Sequence, residues 1–206
     1  MVTNNEHVGS KMIPFSLIEQ KEETNQLVIV LPGAGYTTQA PLLRFTTGVF
    51  YNKGFDVLHI NYTYNRQELS ELIEQDFARE VQLVIDHAIK NKNYSNFCVV
   101  AKSIGTVALS YLLNHTMFKE AKVVWLTPLL QKDDVFNAMV KSVHKGLCIM
   151  GDKDHCFVVE RFERLKDNPN LRFKVVDGGN HSLELDEDPI KSIELLKNVM
   201  IEISEF

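Results

Sequence analysis

Short apolar runs rich in β-branched residues alternate along the chain with longer stretches whose apolar residues recur at helical spacing. Seven runs read as strands: Met12–Ile18, Leu27–Leu31, Asp56–Tyr62, Phe97–Ala101, Lys122–Leu126, Leu147–Met150 and Leu171–Val176. The segments Val28-Ile29-Val30, Cys98-Val99-Val100 and Val123-Val124-Trp125 carry apolar residues at consecutive positions, so both faces of those strands must be covered. Met12–Ile18 is more mixed and reads as an edge hairpin. Between the strands the period changes. Pro41 suits a first helical position and Gly54 an end, bracketing a helix over Leu42–Lys53. Over Gln67–Lys90 the apolar stripe is Leu69, Leu72, Ile73, Phe77, Val81, Val84, Ile85 and Ala88. A last helix, capped by Asp188 with Pro189 first, would bury Ile190, Ile193, Leu196, Val199 and Ile203. This alternation predicts a three-layer α/β fold: a mostly parallel sheet of about seven strands with helices on both faces. With no repeat, linker or low-complexity tract, residues 1–206 read as one domain.

Composition removes several functional classes. The 206 residues are 45% hydrophobic and 24% charged, which is globular. Net charge is −5, with no basic field to hold a phosphate backbone, so no nucleic-acid partner is expected. The opening Met1-Val2-Thr3-Asn4-Asn5-Glu6 does not resemble a signal peptide, and apolar runs such as Leu27 to Leu31 are too short to span a bilayer. Three cysteines without a CxxC pair fit a reducing cytoplasmic location.

In open α/β sheets ligands bind beyond the carboxyl ends of the strands, so the residues there carry the functional signal. After Phe97–Ala101 comes Ala101-Lys102-Ser103-Ile104-Gly105, running into the helical Thr106–Tyr111. A tight strand-to-helix turn needs small residues two before and two after its serine, and Ala101 and Gly105 meet that need. After Leu147–Met150 comes Gly151-Asp152-Lys153-Asp154, whose acids could orient an imidazole. Asp152 and Asp154 compete, with Asp154 preferred for its longer reach. After Leu171–Val176, Gly178 and Gly179 release a loop carrying Asn180 and His181. After Leu27–Leu31 comes Pro32-Gly33-Ala34-Gly35-Tyr36. Read as a dinucleotide fingerprint, it lacks a third glycine, because position 38 is Thr38, and the next strand ends in Asn61-Tyr62 without an acid. Read as an oxyanion loop, it could bring the Ala34 N–H, with that of Ile104, to a carbonyl oxygen.

From about Leu27 to the end, these motifs resemble the α/β-hydrolase superfamily, and the compact size is similar to its small esterase and dienelactone-hydrolase-like branches. Two positions depart from the usual pattern: Pro32 stands where many members carry His, and Ala101 replaces the first glycine of the elbow. The resemblance implies Ser103 as nucleophile, His181 as general base and acid, Asp154 as orienting acid, and Ala34 and Ile104 as oxyanion donors. It further implies hydrolysis of a small acyl ester or related bond through an acyl-enzyme, with neither metal nor organic cofactor. No HExxH, Cys/His cluster or P-loop is evident in the sequence. Larger members carry a lid before the acid-bearing strand, whereas only one short helical segment, Asp133–Lys141, separates Leu126 from Leu147 here. An open site is therefore expected, with Gly33, Gly35, Tyr36 and Leu129 touching substrate and Tyr64, Leu130 and Phe157 also on its rim. Two alternatives stay open: a degenerate fold serving as a ligand-binding or interaction module, and acyl transfer or perhydrolysis. The expected partner is a small-molecule acyl substrate, acting on a monomer or homodimer.

Overall fold

The computed structural model describes residues 2–4 and 13–206. Six strands run parallel: β3 (Gln26–Leu31), β4 (Asp56–Ile60), β5 (Asn96–Lys102), β6 (Lys122–Leu126), β7 (Gly146–Gly151) and β8 (Leu171–Val176). Preceding them in the chain, β1 (Val2–Asn4) and β2 (Phe15–Ile18) pair antiparallel with each other, and β2 pairs antiparallel with β4. The order across the sheet is β1-β2-β4-β3-β5-β6-β7-β8. Each of the seven expected runs forms a strand. The eighth, β1, is only three residues, too short to leave a pattern. The expected start of β2 at Met12 lies outside the described residues.

Period-two alternation divides the core. In β3, Leu27, Ile29 and Leu31 face one side and Val28 and Val30 the other; in β5, Val99 and Ala101 oppose Cys98 and Val100. The first face is covered by α3 (Glu74–Ile89), α4 (Gly105–Leu112), α5 (Asp133–Lys141) and α6 (Val159–Leu165). The second is covered by α1 (Pro41–Asn52) and α7 (Pro189–Glu205). Two-sided burial is thus why the strands read as unbroken apolar runs.

Two helices differ from expectation. The stripe over Gln67–Lys90 breaks into α2 (Arg66–Ser70) and α3. Asn65 and Glu68 form a capping box that starts a separate short helix, leaving Leu69 and Ile73 exposed, Ile73 at 64%. Asp188 does cap α7, accepting from the Lys191 N–H at 2.9 Å. Its first turns nevertheless run clear of the core: Ile190 and Ile193 are exposed, Leu196 is half-buried, and Val199 and Ile203 are buried. Between β6 and β7 the chain forms only α5, so no lid covers the strand ends there. Among the described residues no helix is long and apolar enough to cross a membrane.

Candidate active site

The turn from β5 to α4 is strained where a side chain must be displayed. Ser103 has φ 53°, the left-handed region disfavoured for residues with a Cβ. The neighbouring strand β6 and the first turn of α4 hold it there. The Ser103 N–H donates to the Leu126 carbonyl at 3.1 Å, and Thr106 Oγ1 donates to the Ser103 carbonyl at 2.5 Å. The helix then passes so close to β3 that a Cβ on Gly105 would lie 2.5 Å from the Leu31 carbonyl oxygen. Only glycine fits there, as the spacing of the motif requires.

The acid turn after β7 and the histidine loop after β8 interlock. A Cβ on Gly151 would stand 1.9 Å from the Gly179 carbonyl oxygen, and the Lys153 N–H donates to that same oxygen at 3.0 Å. Asn180 Oδ1 accepts from the N–H groups of Ser182 and Glu184, rounding the loop that displays His181. His181 Nδ1 lies 2.8 and 2.9 Å from the two carboxylate oxygens of Asp154, and its Nε2 lies 2.8 Å from Ser103 Oγ. Asp152, the competing acid, turns elsewhere: its Oδ1 accepts from the Gly178 N–H at 2.7 Å.

The protonation states follow from this network. Burial by itself would raise the Asp154 carboxyl, but hydrogen bonds from His181 and from the Cys156 N–H outweigh it and hold the group below its ordinary range. An ionised carboxylate can only accept, so Nδ1 must be the protonated nitrogen. Nε2 is then left with its lone pair facing the Ser103 hydroxyl. That arrangement can take a proton from the serine as its oxygen attacks an electrophile.

The loop after β3 completes the surroundings. The Tyr62 hydroxyl donates to the Pro32 carbonyl at 2.7 Å, and the Tyr64 N–H donates to the Ala34 carbonyl at 3.3 Å. A Cβ on Gly33 would lie 3.5 Å from the Ser103 Cβ, which sets this loop directly against the serine. Among the described residues no hydrogen bond from the Ala34 or the Ile104 N–H is seen. Gly35 is exposed, and Leu129, Tyr64 and Phe157 are half-buried against the core on the α4 side. Tyr36 packs against the opposite core, its hydroxyl accepting from the Leu42 N–H at 3.1 Å. Leu130, expected on the rim, is wholly buried and belongs to the core.

One residue escapes a reading by motif. Lys102 ends β5 on the face opposite Ala101, and strand alternation drives its side chain inward, leaving it 1% exposed. Its Nζ donates to the His181 carbonyl at 2.6 Å and to Thr127 Oγ1 at 2.8 Å, and lies 4.7 Å from the centre of the Tyr36 ring. One ammonium thereby links the elbow, the histidine loop and the loop after β3. Burial pushes its pKa down to about 8, against the pull of Asp154. Below that value the buried charge costs stability, and the cost fades as pH rises toward 10.5, where the unfolded chain also loses its proton. The signal in the sequence is a lysine closing a strand that is covered on both faces.

Lys102→Met should therefore separate stability from activity. The substitution removes a burial cost of roughly 3 kcal/mol and loses hydrogen bonds worth about 1–3 kcal/mol, so the melting temperature at pH 7 should stay near that of the parent. Activity should fall on the order of 100-fold, because the His181 backbone loses its anchor. Unchanged kcat in a folded variant would show that the ammonium does not position the loop.

No protein-family model matches the chain, and no curated protein sequence matches it. Solved structures do. An α/β serine hydrolase homologue from Coxiella burnetii aligns with a TM-score of 0.73 at 11% identity, covering 98% of this chain and 96% of its own. Est1E from Butyrivibrio proteoclasticus, solved with ferulic acid bound, aligns at 0.70 and 13% identity, covering 97% and 99%. A serine hydrolase without a lid from Xanthomonas campestris aligns at 0.67 and 12% identity, covering 98% and 93%. At such identities the likeness speaks for architecture alone, and that architecture extends over nearly the whole of each chain. The chain has the α/β-hydrolase fold, in the lidless form.

Proposed function

We propose that the chain is a serine hydrolase that cleaves a small acyl ester, thioester, lactone or related acyl bond through an acyl-enzyme. One observation carries the reading: the unbroken hydrogen-bond chain from Ser103 Oγ through His181 to the buried Asp154 carboxylate. In this reading Ser103 attacks the acyl carbon while His181 Nε2 takes its proton, giving a tetrahedral oxyanion that the Ala34 and Ile104 N–H groups receive. Collapse expels the leaving group, to which His181 returns the proton. A water, deprotonated by the same nitrogen, then attacks the acyl-enzyme and releases the acid with Ser103 restored. Asp154 holds the imidazole in the required tautomer throughout and stabilises its cation.

The open strand ends favour small acyl groups, with Gly33 and Gly35 giving the substrate access to the loop backbone and Leu129 and Tyr36 beside it. Ferulic acid in Est1E supports a small carboxylic acid as the product that a site of this kind accommodates. Residues 1–206 act as one domain in this reading. A panel of p-nitrophenyl esters of increasing acyl length tests it. Turnover should be greatest for short acyl chains and fall with length, since no lid provides apolar cover for a long one. Hydrolysis no faster than in buffer at every length would contradict the proposal.

A further inference from the structure

Asp154, His155, Cys156 and His181 form a compact group that no sequence motif announces, because its fourth member comes from a different loop. One ligating atom from each lies within 4.8 Å of the others, and among the described residues this is the one such group of His, Cys, Asp and Glu. The rings of His155 and His181 are 4.8 Å apart between centres, and His155 Nδ1 is 3.7 Å from Asp154 Oδ1. Asp154 and Cys156 are buried, His181 is half-buried, and the His155 side chain is 75% exposed and open to approach from solvent.

The chemistry of this set is specific. Two imidazoles, a thiol and a carboxylate are the donors that tetrahedral Zn2+ takes, at distances of about 2.0–2.3 Å. Those bond lengths imply donor–donor separations of roughly 3.3–3.8 Å, so the present arrangement, within 4.8 Å throughout, need contract by only about 1 Å at its widest. If His181 Nδ1 is the ligand, its contact with Asp154 at 2.8–2.9 Å opens slightly. Charge also balances. Thiolate and carboxylate together offset the two positive charges of the ion, so a partly buried complex carries no net charge.

We propose that this group is an inhibitory zinc site: Zn2+ bound by His155, Cys156, Asp154 and His181 disables the general base. Binding releases the Cys156 thiol proton to solvent. A neutral imidazole has one lone pair, so coordination at either nitrogen uses it. Zinc on Nε2 occupies the pair that faces Ser103. Zinc on Nδ1 forces the ring proton onto Nε2, which can then no longer accept from the serine. Both ring nitrogens are already engaged in the Ser103–His181–Asp154 chain, so the ion competes with that chain. The inhibitory half of the proposal rests on the hydrolase reading; the binding half does not.

Calorimetric titration with ZnCl2, on the parent and on Ser103→Ala, tests binding without any need for turnover. One ion per chain should bind, reversibly with EDTA, and Co2+ should give a thiolate-to-metal absorption band that Cys156→Ser abolishes. His155→Gln and Cys156→Ser should each weaken zinc at least tenfold, and His155→Gln should keep the parent's zinc-free turnover while losing its zinc sensitivity. No saturable binding, or unchanged affinity in both folded variants, overturns the site. Full turnover in zinc-saturated protein overturns the inhibitory role. Zinc binding by a chain that hydrolyses none of the esters would leave the site standing and sink only the hydrolase reading.

Discussion

Ser103→Ala is expected to lower kcat by on the order of a million-fold, the scale seen when the serine of a comparable triad is removed. The substitution deletes the hydroxyl oxygen that lies 2.8 Å from His181 Nε2. It leaves the Ala34 and Ile104 N–H groups and the surrounding loops untouched. What activity survives should be the modest acceleration that an oxyanion site and binding supply by themselves. The fold should tolerate the change. Alanine at φ 53° is no worse than serine there, and the lost hydrogen bond is worth about 1 kcal/mol. Steady-state kinetics on the preferred ester, with a melting curve as the folding control, make the comparison. A folded variant with near-parental kcat would remove Ser103 from the mechanism.

Asp154→Asn should cost about 10⁴-fold in kcat with little change in KM. An amide no longer fixes the proton on His181 Nδ1, and it cannot stabilise the imidazolium that forms when Ser103 gives up its proton. Asp152→Asn provides the control. Its amide oxygen can still accept from the Gly178 N–H, so the loop keeps its anchor and activity should stay within a few-fold of the parent. Equal losses in the two variants would contradict the assignment of roles. The same hydrogen bonds affect acid stability. Because the Asp154 carboxyl lies below its ordinary value of 3.8, its contribution to stability is present above that pH and is lost as the pH falls further.

The parts that were legible in the sequence are those where one physical demand acts on adjacent residues. Val28-Ile29-Val30 announces a strand covered on both faces, and Gly105 helps announce the turn around Ser103, because crowding against Leu31 leaves no room for a side chain there. Asp152 and Asp154 share one turn but have different partners, the Gly178 N–H for Asp152 and His181 Nδ1 for Asp154. What stayed hidden depended on tertiary placement. Leu69 and Ile73 fit the helical period of α3, yet a capping box diverts them, and Ile190 and Ile193 fit the period of α7 but lie beyond the core. Leu130 follows a strand end and still turns inward. Lys102 was unreadable for a related reason: a lysine is ordinarily solvated, and only the histidine loop folding over it supplies the carbonyl that makes its burial tolerable. The grouping of His155 and Cys156 with His181 likewise requires two loops to meet at Gly151 and Gly179.

The central claim is that a proton can pass from the hydroxyl of residue 103 to the imidazole of residue 181, making that oxygen a nucleophile. Reaction with a fluorophosphonate measures this most directly, since phosphorus bonds to the attacking oxygen and fluoride leaves, and intact-mass and peptide spectra then locate the adduct. One adduct per chain is expected, on Ser103, absent from Ser103→Ala and formed far more slowly in Asp154→Asn. A parent protein that stays unmodified after prolonged exposure, or that carries the adduct on another residue, would contradict it.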